Sequence, residues 1–303
     1  MKFGVREICD VVFKAKADTK IGSTTFKEGQ PVLYIDTAKT STLEGAATTV
    51  YAQGGKGNTR LIAWEGEKTL TFTVEDALLS PIGFAILSGA GLIGGDSSAT
   101  GNVHVHQTAA ATVSTSGEID LTDAIGSSES IDSTAPVFAV ITEKDGSVTG
   151  EVLSGLSVSG SKLTGATSAA GKTVFVDFYV SKSAANVSEL QIDAENFAGY
   201  YYVEASTLFR DQNTGKDMPA EITLPNVKIQ SNFTFSMAAT GDPSTFTFTM
   251  DAMPGYTKFD STKKVLCVIQ VVNETDSSNE NITTVMPHTT GETDNSEDSV
   301  KSE

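Results

Sequence analysis

Apolar and polar positions alternate with a period of two over much of the chain, the pattern of strands with one face on a core and the other in water. Leu70, Phe72 and Val74 share one face of such a strand, and Thr69, Thr71 and Thr73 share the other. Phe246, Phe248 and Met250 alternate with Thr245, Thr247 and Thr249 in the same way. Phe233, Phe235 and Met237 predict a further strand, joined to the one at 246–250 by a segment containing Gly241, Asp242 and Pro243. Those three are turn formers, so the pair reads as a hairpin with a long loop. The runs 32–35, 174–180 and 265–272 are almost continuously apolar. Strands of that kind have both faces covered, so all three are expected to be central.

One segment breaks the pattern. Between Glu75 and Gly89, the residues Leu78, Leu79, Ile82, Ile86 and Leu87 fall at helical spacing, which predicts a helix. Thr73 or a neighbour could cap it, Glu75 and Asp76 suit its positive end, and Gly89 is a natural stop. Pro81 argues for a kink or a late start. From about Gly94 to Asn196 the chain turns rich in Ser, Thr, Ala and Gly, with candidate strands at 137–142 and 174–180. We read residues 96–194 as a small inserted all-β domain. Residues 273–303 hold Glu274, Asp276, Glu280, Glu292, Asp294, Glu297, Asp298 and Glu303 against Lys301 alone, with few apolar residues. A flexible acidic tail is expected there.

Residues 36–61 show no sustained apolar period, and a structureless stretch that long inside a domain is usually functional. Two readings stand: an arm that lies on another subunit, or an irregular extra hairpin on the same one.

Composition narrows the classes. The 303 residues are 39% hydrophobic, with fifteen Phe, seven Tyr and one Trp, enough to fold most of the chain around a real core. The formal charge of −17 lacks the cations needed to grip a phosphate backbone, so DNA wrapping is not expected. Cys9 and Cys267 form no disulfide framework and read as small core residues. Charges at Lys2, Arg6, Glu7 and Asp10 leave no apolar core for a signal peptide, so none is expected. The least charged stretch, 82–95, is shorter than the roughly 18 to 20 residues of a spanning helix and is broken by glycines, so no membrane association is expected.

Chemical motifs are few. Gly89-Ala90-Gly91-Leu92-Ile93-Gly94 matches a dinucleotide-binding spacing, but it follows the predicted helix instead of opening one, and reads as a glycine-rich helix exit. Residues 54–59, Gly-Gly-Lys-Gly-Asn-Thr, lack the spacing of a phosphate loop. His104 and His106 would project from one strand face, which is how a metal site can begin, yet two surface histidines on an edge strand is the simpler reading. Glu65 and Glu67 could share a face as glycosidase carboxylates do, but beside Lys68 they read as solvated. No nucleophile elbow is present, and the sequons at Asn186, Asn232, Asn273 and Asn281 carry little weight in a Thr-rich chain without a leader. Tyr200-Tyr201-Tyr202 suits a core or a subunit interface equally. We expect no enzyme, no metal and no cofactor.

Residues 51–58, Tyr-Ala-Gln-Gly-Gly-Lys-Gly-Asn, leading to Glu75-Asp76-Ala77-Leu78-Leu79-Ser80-Pro81, and later Lys228 to Thr234 leading to Gly241-Asp242-Pro243-Ser244-Thr245-Phe246, resemble the tail tube (major tail) proteins of long-tailed bacteriophages. The resemblance covers residues 1–95 and 195–272. It implies an antiparallel β-sandwich or barrel-like tube domain with one flanking α-helix; the segment 94–196, which a minimal tube protein does not need, departs from that pattern and would have to project outward as a decoration domain. It further implies homo-oligomeric rings, usually hexamers, stacked into a tube in the virion tail. Genomic DNA would pass through the lumen without specific binding, and sheath, baseplate or terminator proteins would be further partners. Subunits would be made in the host cytoplasm. In such proteins a long loop packs against the next ring, which maps inter-ring stacking onto Leu43, Val50, Tyr51 and Arg60. An acidic lumen would repel DNA phosphates and let the duplex slide. The rival expectations are a capsid decoration or other virion protein, and a module whose inserted domain binds a host glycan.

Overall fold

A computed structural model describes residues 2–95, 97–126, 129–142, 148, 150–234, 237, 239–240 and 244–272. The chain begins with strands β1 (Phe3–Val5) and β2 (Asp10–Ala15), a small hairpin of β3 (Thr19–Ile21) and β4 (Thr24–Phe26), then β5 (Pro31–Ile35). Two long strands follow, β6 (Ala38–Gly54) and β7 (Thr59–Asp76), then helix α1 (Pro81–Ser88). The next segment holds β8 (Gly91–Gly94), β9 (Asn102–Thr112), β10 (Ile119–Asp120), helix α2 (Thr122–Ile125), β11 (Phe138–Ile141), β12 (Ser157–Ser159), β13 (Lys162–Thr164), β14 (Thr173–Ser183) and β15 (Ser188–Gln191). The chain returns with β16 (Tyr200–Asp211), β17 (Asp217–Ile229), β18 (Phe246–Ala252) and β19 (Val268–Val271). The protein is mainly β with antiparallel pairing, as the period-two pattern predicts.

The large sheet has nine strands, ordered β5-β2-β16-β17-β18-β7-β6, with β1 added beside β16 and β19 beside β17. Its strands alternate: Val11, Phe13 and Ala15 of β2, Phe72 and Val74 of β7, and Phe246, Phe248 and Met250 of β18 are buried, while the residues between them are more accessible. The sheet curls over its own core. Phe13 and Phe248 stand on strands separated by β16 and β17, about 14 Å apart in a flat sheet at about 4.8 Å per strand. Their ring centroids are 5.8 Å apart. Buried residues from both wings, with Ile86 and Leu87 of α1, form one cluster.

Several expectations are corrected in detail. Strand β7 runs through Glu75 and Asp76, so the helix starts only at Pro81. Ser80 caps it by accepting a hydrogen bond from the Gly83 N–H at 2.9 Å, and proline suits the first helical position because its missing N–H would go unpaired there anyway. Gly89 ends it in the left-handed conformation, φ 76°, as predicted. The 32–35 run lies in β5, an edge strand and not a central one: Leu33 and Ile35 stand opposite Phe13 and Val11 on the core side, while Tyr34 between them is exposed. The 265–272 run yields only β19, paired with β17 alone and with Ile269 half exposed. No strand forms at 230–234; Phe233 instead packs edge-on against Phe84 of α1, centroids 4.9 Å apart. Phe235 and most of the connecting loop lie outside the described residues, as does the acidic tail 273–303 with His288.

A second core lies between α1 and β16. The sheets β11-β14-β9 and β10-β13-β12 pack Val174, Val176, Phe178 and Val180 against Ile119, Leu121 and Leu163, and this cluster shares no residue with the first. The 174–180 run is here a central strand, as predicted. At the two ends of this segment β8 pairs with β15 from Gly91↔Gln191 to Gly94↔Ser188, so the chain leaves and returns side by side. Among the described residues no helix is long and apolar enough to cross a membrane.

Candidate assembly interface

The stretch without apolar period, 36–61, is not a loop. It forms β6, the turn and the start of β7, a continuous hairpin whose register runs from Ala38↔Asp76 to Gly54↔Thr59. The turn, residues 55–58, needs positive φ at Gly55 (79°), Gly57 (88°) and Asn58 (50°), a conformation that glycine and asparagine tolerate. The pattern lacks a period because the outer half of the hairpin has no core to face. The ladder between β7 and β18 stops at Thr71, and every β7 residue from Thr59 to Thr69 is exposed. Beyond the Gly45↔Leu70 pair the two strands have only each other for about 30 Å, at about 3.3 Å per residue.

This arm is apolar for an exposed ribbon. Val50 faces Trp64, and Ala52 faces Ile62, so these four share one face. Val50 is 62%, Ile62 56% and Trp64 52% exposed, and Leu61 is exposed beside a register shift. On the opposite face the Arg60 guanidinium sits 4.1 Å from the Tyr51 ring centroid, a cation–π contact that ties the two strands near the tip. A second register shift falls at Thr48, whose Oγ1 accepts a hydrogen bond from the Glu67 N–H at 2.8 Å. Gly66 makes that approach possible: a Cβ there would lie 2.3 Å from Thr48 Oγ1. From Gln53 to Trp64 the tip carries Lys56 and Arg60 and no carboxylate, in a chain of charge −17.

Of the four residues singled out from the sequence, Val50, Tyr51 and Arg60 lie on the arm, and Tyr51 and Arg60 touch. Leu43 stands apart at the arm's base, opposite Phe72 and packed against the main core. Sequence reasoning missed Leu61, Ile62 and Trp64. The cue was available: Trp64 is the chain's only tryptophan, and the apolar run 61–64 continues the β7 pattern back toward Asn58.

The other candidates resolve into ordinary structure. His104 of β9 pairs with Asp132 of the segment before β11, and His106 with Asp177 of β14 at 3.1 Å, so each histidine takes its own carboxylate. The Thr134 hydroxyl and N–H, with His104, hold the Asp132 carboxyl below the usual carboxylate range. Among the described residues no three His, Cys, Asp or Glu side chains gather into a metal-binding set. Glu65 and Glu67 lie exposed on the arm. Tyr201 packs edge-on against Phe13 in the core, its hydroxyl pushed up to about 12 by burial, and Tyr202 lies on the other face under the Lys258 ammonium, 5.1 Å from its ring centroid. Burial raises both thiols, Cys267 to about 11.

A mainly β protein with one curled antiparallel sheet and an apolar two-stranded arm is thus defined. The model of the YomU/Tube protein family matches residues 4–266, and the chain belongs to that family. No curated protein matches it.

Proposed function

We propose that this chain is a non-enzymatic structural protein of a phage-derived tail tube, whose copies form rings, six-membered by the resemblance, that stack through the β6–β7 arms. The observation that carries this reading is the arm itself. An isolated two-stranded ribbon is marginal in water, and this one exposes Val50, Leu61, Ile62 and Trp64 along its outer half. Such a ribbon gains its stability by lying on another protein surface. Family membership supports the tube, and the charge of −17 suits both a soluble free subunit and a conduit that DNA traverses without sticking. The place of action would be the virion tail, with sheath, baseplate or terminator proteins as further neighbours.

Negative-stain electron microscopy of the concentrated full-length protein at moderate salt, where like-charge repulsion is screened, tests this. Stacked rings or hollow tubes are expected. Closed trimers at every concentration would favour a capsid decoration protein instead.

A further inference from the structure

The arm and a cleft of opposite character lie at the two ends of one strand. β7 begins at the arm tip with Thr59 and ends at Asp76, whose carboxylate accepts hydrogen bonds from the Thr37 hydroxyl at 2.5 Å and the Leu78 N–H at 3.3 Å. There, between β5, the end of β7 and α1, a cleft of about 260 Å³ is lined by Leu33, Leu79 and Phe248 together with Tyr34, Asp36 and Asp76. No Lys or Arg lines it. Leu78, 66% exposed, continues it into an adjoining apolar groove of about 400 Å³ that includes Pro81 and Leu190. Asp10 stands beside this cleft, linked to Tyr34 by a hydrogen bond, and burial together with the Asp36 charge raises its carboxyl above the usual range.

The arm tip offers the complement: Lys56 and Arg60 without a carboxylate, beside exposed Ile62 and Trp64. It cannot reach the cleft of its own chain, because the 18 residues of β7 hold the two about 60 Å apart at about 3.3 Å per residue. A patch on one end of a molecule that matches a pocket on the other end makes a head-to-tail contact, which repeats from copy to copy and, where the rotation between copies does not close a ring, runs on as a stack.

We infer that the arm tip of one copy docks into the cleft between β5, β7 and α1 of a second copy, with Lys56 and Arg60 meeting the Asp36 side of the cleft and the Ile62–Trp64 face covering its apolar lining. This rests on the tube reading and specifies the surface that receives the arm. Charge complementarity selects the register, and burial of the apolar ribbon supplies the affinity.

Charge exchange in the full-length protein tests it. The variants K56E/R60E and D36K alter exposed positions, so the free subunit keeps its circular dichroism, and its thermal midpoint falls by no more than the loss of the Arg60–Tyr51 contact accounts for. Asp76 is left alone because it is buried and hydrogen-bonded. Each variant is expected to raise the concentration at which stacks appear by about tenfold. The combined variant K56E/R60E/D36K is expected to recover most of the loss. If the wild type stacks while D36K stacks equally well, or if the combined variant recovers nothing, the cleft is not the receptor and the tube reading stands. If the wild type stays monomeric at every concentration, both fall.

Discussion

The inner and outer halves of the β6–β7 hairpin share one ladder and one secondary structure, yet serve opposite ends. In the inner half Phe72 and Val74 are flanked by β6 on one side and by Met250 and Phe248 of β18 on the other, and both are essentially inaccessible. In the outer half the two strands stay paired through two register shifts, but the third strand has ended and Val50, Ile62 and Trp64 face water. Backbone pairing alone therefore does not make an apolar residue part of the core; a second layer does. The inner half holds the subunit together, and the outer half is free to hold subunits to one another.

Phe72→Ala should break the inner half with the largest effect, costing about 3 to 5 kcal/mol of unfolding free energy because its cavity is walled on every side. Urea titration measures this, and a loss below about 1 kcal/mol would mean that the wings of the sheet do not share one core. In the outer half, Gly66→Ala would drive a Cβ into Thr48 Oγ1 and displace it from the Glu67 N–H. A cost of about 1 kcal/mol is expected, with faster exchange of the arm amides as the specific sign. Arg60→Ala removes the cation over Tyr51 and should cost no more than about 0.5 to 1 kcal/mol in the free subunit while still weakening stacking. Trp64→Ala is expected to leave subunit stability within about 0.5 kcal/mol, which separates the outer half from the inner most cleanly.

Acid sharpens the same contrast. Glu75, in the inner half, accepts hydrogen bonds from the Thr245 hydroxyl of the segment entering β18 and from Thr40 of β6 at 3.2 Å, and Thr245 chiefly holds its carboxyl below the usual value. A carboxylate lowered on folding adds stability above its unfolded value, about pH 4.3, and loses it as the pH falls through the folded value. Thr245→Val should therefore be less stable than the wild type at pH 7, with the gap closing on acidification. A gap independent of pH would show that the hydroxyl acts by packing alone.

Much of this was legible in the sequence wherever a core imposes its period. The threonine-spaced strands at 69–74 and 245–250, the helix stop at Gly89 and the central strand at 174–180 all lie against one of the two cores. The arm was legible only as an absence of sustained period, because no core enforces alternation along a ribbon with water on both sides, and its apolar residues are interrupted by glycines and register shifts. Phe233 misled for the converse reason: its alternation with Phe235 predicted a strand, whereas its ring is claimed by Phe84 of the helix.

Local chemistry in the chain determined which residues turn, cap and alternate, since φ preference, the proline ring and side-chain period act over a few positions whatever the surroundings. It also determined the charge of −17 and the cationic arm tip. Only the tertiary structure decided that β5 sits at an edge, that Leu43 belongs to the core and Trp64 does not, and that the arm and the acidic cleft stand at opposite ends of β7. Those depend on which distant strand ends where, and the end of β18, set some 180 residues away, leaves no mark in the residues of the arm it exposes.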